Sequence, residues 1–240
     1  MQIPIKVTER LLDSVAFLNS QYGVAFNAMV TMNFGQLGIS GKSDKSLALT
    51  KMNQSLSRKI DRHAKNRRTE DQHHYLFAHE CSRDHGHHVH EVIVAPGVLA
   101  LGLQPWLTNW ARRHFGSGID PKAIHFDGRS HWQYEKIARN QSRIVGYILK
   151  TTEPTAVISR HGHASYLHTL LGRKRSQHSF PMDVDKIAGT SQSISIQSQW
   201  DAGYQPEENW EDLLSEDNLI KYVRRRDSEE LIEQLRRIQN

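Results

Sequence analysis

Residues 73–95 constrain the fold most. Two β-patterned runs, His73 to Glu80 and His87 to Ala95, flank the segment Cys81-Ser82-Arg83-Asp84-His85-Gly86. The runs suit strands and the gap has turn chemistry, so the segment predicts an antiparallel hairpin. A hairpin alone is marginal in water and needs more strands or a helix layer. The flanking sequence supplies both. Val7 to Asn19 places Leu11, Leu12, Val15 and Leu18 at helical spacing, and Val24 to Phe34 reads as a first strand. Asp44 to His63 reads as a helix with Leu47, Leu49, Met52, Leu56 and Ile60 turned inward. Leu103 to Phe115 is a further helix, Ala123 to Phe126 a short strand, Trp132 to Ile137 one more strand, and Asn140 to Thr152 a helix stopped by Pro154. This order predicts an α+β fold. The expected architecture is a ferredoxin-like or RRM-like sandwich, with a central antiparallel sheet and helices on one face.

The predicted layout is a domain over residues 1–155, followed by a basic linker and a helical C-terminal extension over 156–240. Residues 155–200 are rich in Gly, Ser, Gln and basic side chains, and Glu208 to Gln239 reads as helix in two pieces. The net charge is +5, a weak pointer to nucleic acid that gains from its distribution. Lys59, Arg62, Arg67 and Arg68 belong to a basic run, and Arg173-Lys174-Arg175 forms a second cluster. Both are candidate DNA-backbone contacts, with a solvated helix face as the alternative for the first. Trp106, Trp110 and Trp132 are expected in the core rather than stacked on bases. Cys81, the single cysteine, cannot form an internal disulfide. The chain has no apolar run of about 18 residues and no signal-peptide layout at its start. The expectation is a cytoplasmic protein with no membrane partner.

Two short segments carry the candidate chemistry. Successive strand residues point to opposite faces, so His88 and His90 project together. Their spacing is about 7 Å, twice the strand rise, which suits chelation of one divalent ion. Glu80, at the end of the partner strand, is the leading candidate for a third ligand. His79 next to it is expected on the other face. The surrounding His73, His74, His85 and His87 blur the choice, and Cys81 nearby leaves a structural zinc site open. The second segment is Gly146-Tyr147-Ile148-Leu149-Lys150. Tyr147 and Lys150 are three apart and therefore neighbours on a helix surface. A phenol is a poor nucleophile at neutral pH unless a cation or a metal assists it. Here Lys150 could supply the cation and the histidine strand the metal.

Together these residues resemble the HUH endonuclease superfamily, in particular its single-tyrosine rolling-circle replication initiators. Ala28-Met29-Val30-Thr31-Met32-Asn33-Phe34 resembles the family's first motif. His88-Val89-His90 with the apolar tail Val92-Ile93-Val94 resembles the second, and Tyr147-Ile148-Leu149-Lys150 the third. The motifs occur in the family's order over roughly residues 22–155, with the tyrosine after the histidines. Position 151 is Thr, which separates the chain from the two-tyrosine pattern.

The resemblance implies a Mn²⁺ or Mg²⁺ site at His88, His90 and Glu80, with Mn²⁺ at least as effective as Mg²⁺. It implies Tyr147 as nucleophile and Lys150 as its helper. The implied reaction nicks single-stranded DNA at a replication origin, links the 5′ phosphate to the tyrosine and later rejoins the strand. No Gly-x-x-x-x-Gly-Lys-Ser/Thr segment is present, so unwinding and synthesis are expected from a host helicase and polymerase. Three alternatives stand beside this reading. They are an HUH transposase-like strand transferase, a non-catalytic nucleic-acid-binding protein with a zinc-bound or idle histidine cluster, and a hydrolase using activated water.

Overall fold

The computed structural model describes residues 2–128, 134–153, 155–171 and 179–239, with the side chains at 134–135 and 228–239 outside that description. Arg173-Lys174-Arg175 and Trp132 lie outside the described residues. The elements begin with α1 (Ile5–Tyr22), β1 (Ala28–Asn33), α2 (Lys42–Arg67), β2 (Tyr75–Ser82) and β3 (Gly86–Ile93). They continue with α3 (Gly97–Ala100), α4 (Leu103–Phe115), β4 (Ile124–Gly128) and α5 (Tyr134–Ile148), which runs into a 3₁₀ turn over Leu149–Thr151. Then come β5 (Val157–Arg160), β6 (His163–Tyr166), α6 (Leu167–Leu170), β7 (Ala188–Thr190), α7 (Ile196–Asp201), α8 (Trp210–Leu213) and α9 (Glu216–Gln239).

The class is α+β, as the alternation of elements predicts. The main sheet is antiparallel with order β4-β1-β3-β2-β7. Its first four strands, with α2 and α4 as crossovers, have the split βαβ connectivity of a ferredoxin-like unit. Alternation assigns the two faces. On one face Val30, Met32, Val89 and Ile93 pack against Met52 and Leu56 of α2 and against Leu103, Leu107 and Trp110 of α4. On the other face Leu76, Ala78 and Val92 pack against Leu12, Val15 and Ala16 of α1 and against Ile144, Val145 and Ile148 of α5. The expectation of helices on one face therefore holds for α2 and α4 but not for the chain. A sheet with apolar residues on both faces must cover both.

Four further expectations are corrected. Leu47, expected inside, is exposed on α2, because its neighbours Ala48, Leu49 and Met52 face the sheet instead. The strand expected from Val24 starts at Ala28, because side chains satisfy the preceding backbone. Asn19 Nδ2 donates to the Val24 carbonyl, and the Phe26 N–H donates to Gln141 Oε1. Residues 134–137 are helical rather than a strand, since the apolar period of α5 extends back through Ala138 and Ile137. Residues 155–200 are not a linker throughout. Ile158, Leu167, Leu171, Ala188 and Ile194 share one core with α1 and α5, and β7 pairs with β2 at the sheet edge.

Gly23 ends α1 in the left-handed region at φ 60°, with its N–H donating to the Asn19 carbonyl. A Cβ there would stand 2.6 Å from Arg226 Cβ and 3.0 Å from the Tyr222 carbonyl oxygen, both on α9. Gly23→Ala is expected to lower stability by about 1–3 kcal/mol, from backbone strain and displacement of α9. Urea unfolding measures it.

Candidate metal centre and tyrosine

The hairpin register builds the centre. Glu80 lies directly opposite His88, and His90 lies between Ala78 on β2 and Thr31 on β1. All three candidate ligands face α5 and are buried, at 6%, 5% and 5% exposure for Glu80, His88 and His90. Glu80 Oε2 is 3.4 Å from His88 Nε2 and 3.2 Å from His90 Nε2. One donor atom from each residue falls within 4.8 Å of the others, so the group could hold a metal ion.

Hydrogen bonds orient both imidazoles. His88 Nδ1 is 3.0 Å from the Gly86 carbonyl oxygen, which only accepts, so Nδ1 carries the proton and Nε2 the lone pair. His90 Nδ1 is 2.8 Å from Thr31 Oγ1. Donation to that hydroxyl leaves Nε2 free, whereas acceptance from it puts the proton on Nε2, toward Glu80. Burial, reinforced by the nearby Lys150 and His88, outweighs Glu80 and pushes His90 down to about 4. Burial alone would raise Glu80, but contacts from His88, His90 and Lys150 override it and hold the carboxyl below the usual range. At neutral pH the pair is therefore a neutral imidazole and a carboxylate.

In the Nδ1–H tautomer of His90, two acceptors stand face to face. Glu80 Oε2 and His90 Nε2 are buried 3.2 Å apart, and the Lys150 ammonium reaches the same carboxylate oxygen at 2.6 Å. Two lone pairs at that separation repel unless a proton or a cation lies between them. With Nδ1–H on both imidazoles, the two Nε2 atoms and the Glu80 carboxylate form a donor set that fits a divalent ion. Two imidazoles and a carboxylate suit several such ions and do not select one. No thiolate joins this group, and Cys81 is a half-buried free cysteine.

Tyr147 and Lys150 border the same centre. The chain tightens from α-helix to 3₁₀ at Leu149, and residues i and i+3 eclipse in that geometry. Lys150 Nζ lies 3.7 Å from the centre of the Tyr147 ring and 2.6 Å from Glu80 Oε2. The lysine is buried, while Tyr147 is 37% exposed. The Tyr147 ring stands 5.0 Å from that of His90, edge to face. The structure thus brings His88, His90, Glu80, Tyr147 and Lys150 into one cluster.

The other histidines separate from it. His79 and His87 point to the opposite face and contact each other at 3.2 Å. His73 meets Asn53 there, and His74 meets Ser193. His85 is exposed at the hairpin turn. Lys59, Arg62, Arg67 and Arg68 lie on or just beyond α2, on the sheet face away from the cluster. They are not brought to it. Trp110 is a core residue, its Nε1 donating to Ser55 Oγ, and Trp106 is partly buried beneath Lys59.

Two features escaped the sequence reading. One is Thr31, whose role depends on the β1–β3 register. The other is the exposed face of α5, where Lys136, Arg139 and Arg143 recur at helical spacing toward Tyr147. Counting back by three and four from Tyr147 would have found it. Comparison of the chain with protein-family models, curated proteins and solved structures gave no match.

Thr31→Val keeps the shape of the strand residue but removes the partner of His90 Nδ1. It is expected to weaken Mn²⁺ binding about 10- to 100-fold. Titration calorimetry checks the loss, and an unchanged circular dichroism spectrum checks the fold.

Proposed function

We propose that the protein is a single-tyrosine, divalent-metal-dependent endonuclease. It nicks single-stranded DNA at a replication origin and rejoins it through a 5′-phosphotyrosine, initiating rolling-circle replication of a plasmid or phage. The observation that carries this reading is the contact of one partly exposed tyrosine with both a lysine ammonium and a histidine of a buried His-His-Glu group. A bound Mn²⁺ or Mg²⁺ would supply Lewis-acid polarisation of the scissile phosphate. Glu80, His88 and His90 would hold it.

Tyr147 Oη bonds to phosphorus as the bond to the 3′ oxygen breaks. The phenolic proton passes to solvent, and the 3′ oxygen takes a proton from water. Lys150 offsets the negative charge that gathers on the phenolic oxygen during attack. The free 3′ hydroxyl later reverses the step and restores the strand. Lys136, Arg139 and Arg143 give α5 a cationic face along which the DNA backbone can approach Tyr147. A helicase and a polymerase of the host are the proposed partners.

One observation favours a second reading. Lys150 already balances the charge of Glu80 at 2.6 Å, an arrangement that also suits a non-catalytic nucleic-acid-binding protein without a metal. The test uses single-stranded oligonucleotides from the DNA surrounding the coding sequence, with Mn²⁺, Mg²⁺ or EDTA. A metal-dependent protein–DNA adduct on a denaturing gel is expected. Binding with no cleavage under any ion would turn the assignment to the second reading.

A further inference from the structure

The sheet face away from the tyrosine carries a second feature. Two helices about 10 Å wide cover about 20 Å, roughly the span of four strands. β7 adds a fifth strand to this sheet. A cleft of about 720 Å³ opens between α2, β2 and the β7 segment. That size lies within the range of about 300–1,000 Å³ typical of small-molecule sites.

The residues lining it fall into three chemical groups. His73, just before β2, and Tyr75, Phe77 and His79 of β2 form a row along it, in which Tyr75 is partly exposed and the other three are buried. Their ring centres are 5.1, 6.5 and 5.7 Å apart in succession. The wall from α2 is polar and includes Asn53, Gln54 and Asp61. Asn53 Nδ2 donates to the buried Glu91 carboxyl, so Asn53 Oδ1 faces His73 Nε2 at 3.0 Å and the His73 Nδ1 is left without a partner. The third group is a cation. A Cβ at Gly189 would lie 2.7 Å from Lys186 Nζ and 3.0 Å from Phe77 Cε1. The missing side chain at 189 is what lets the lysine fold across β7 to the edge of the aromatic row.

We propose that this cleft is a nucleotide-binding site separate from the tyrosine centre. It would take one unpaired nucleotide, with the base stacked on Tyr75 and its edge toward the exposed Gln54. The phosphate would meet Lys186. Aromatic faces, amide groups and a neighbouring ammonium are the complement of base, base edge and phosphate. The nucleotide could be free or part of a strand. The proposal does not depend on the nicking reading.

The test uses the full chain carrying Tyr147→Phe, in EDTA, so that neither nicking nor a bound metal contributes. The four nucleoside 5′-monophosphates and a labelled oligothymidylate are titrated by anisotropy and by NMR shifts of the β2 aromatic residues. Saturable binding is expected. Thr50→Trp, which fills the cleft from an exposed α2 position, and Lys186→Glu should each weaken it about tenfold or more. Binding of the monophosphates identifies a free nucleotide as sufficient, and binding of the oligonucleotide alone identifies a strand; either supports the site. No saturable binding, or affinity unchanged in both variants, overturns it. Both substitutions are at exposed positions, and the unfolding midpoint of each variant verifies its fold.

Discussion

Tyr147→Phe is expected to remove the covalent protein–DNA adduct completely and to lower nicking by about a thousandfold or more, the scale of losing a nucleophile. The substitution is clean for geometric reasons. The ring stays in place, 5.0 Å from His90 and 3.7 Å from Lys150 Nζ. Only a hydroxyl on a side chain that is 37% exposed is lost, so the fold and the Glu80–Lys150 pair should be unaffected. His88→Ala should give a comparable loss of cleavage by a different route, through metal affinity, and should leave binding of single-stranded DNA largely intact. The two variants separate under excess Mn²⁺, which can restore part of the activity of His88→Ala and none of that of Tyr147→Phe. Nicking that persists in Tyr147→Phe would sink the tyrosine mechanism and favour an activated-water hydrolase.

The cluster was legible in the sequence where local periodicity decides geometry. Strand alternation pairs His88 with His90, and helical spacing pairs Tyr147 with Lys150. Glu80 needed one more step, the length of the turn that sets it opposite His88. Thr31 could not be assigned this way, because its contact with His90 comes from pairing between strands 59 residues apart. The ion pair of Lys150 with Glu80 is likewise a product of how α5 docks on the sheet.

The fold divides along the same line. The hairpin and the long helices declare themselves by pattern. β7 does not, since Ala188-Gly189-Thr190 has no strand signature and is held by its ladder to β2. The apolar residues between 155 and 200 are too irregularly spaced to reveal that they complete the core over α1 and α5. The two histidine layers separate only once the hairpin register gives each ring a face.

The buried histidines make the metal-free protein sensitive to acid. Burial is the main cause that pushes His73 and His79 down to about 3 and His74, His87 and His90 down to about 4, from an ordinary value of 6.5. Their folded values lie below the unfolded ones, so each contributes stability above pH 6.5 and loses it as pH falls toward its folded value. Glu91 acts in the opposite sense. Burial raises it from 4.5 to about 8, so its contribution is present below 4.5 and is lost as pH rises through 8.

Between about pH 5 and 6 the five histidines, less the one glutamate, leave an uptake of about four protons on unfolding. The corresponding slope is about 5 kcal/mol per pH unit. A domain with the usual stability of about 5–15 kcal/mol would lose most of it by about pH 5. Above about pH 7 the unfolded imidazoles are mostly neutral and Glu91 dominates, so stability should decline gently, by less than about 1 kcal/mol per unit, toward pH 8. Urea unfolding in EDTA should therefore show a maximum near pH 7 with a steep acid limb. His74→Gln retains a partner for Ser193 and should reduce that limb by about 1.4 kcal/mol per unit, one proton's worth. A stability that stays flat from pH 6.5 to 4.5 would mean that these histidines find charge partners or water in the folded state.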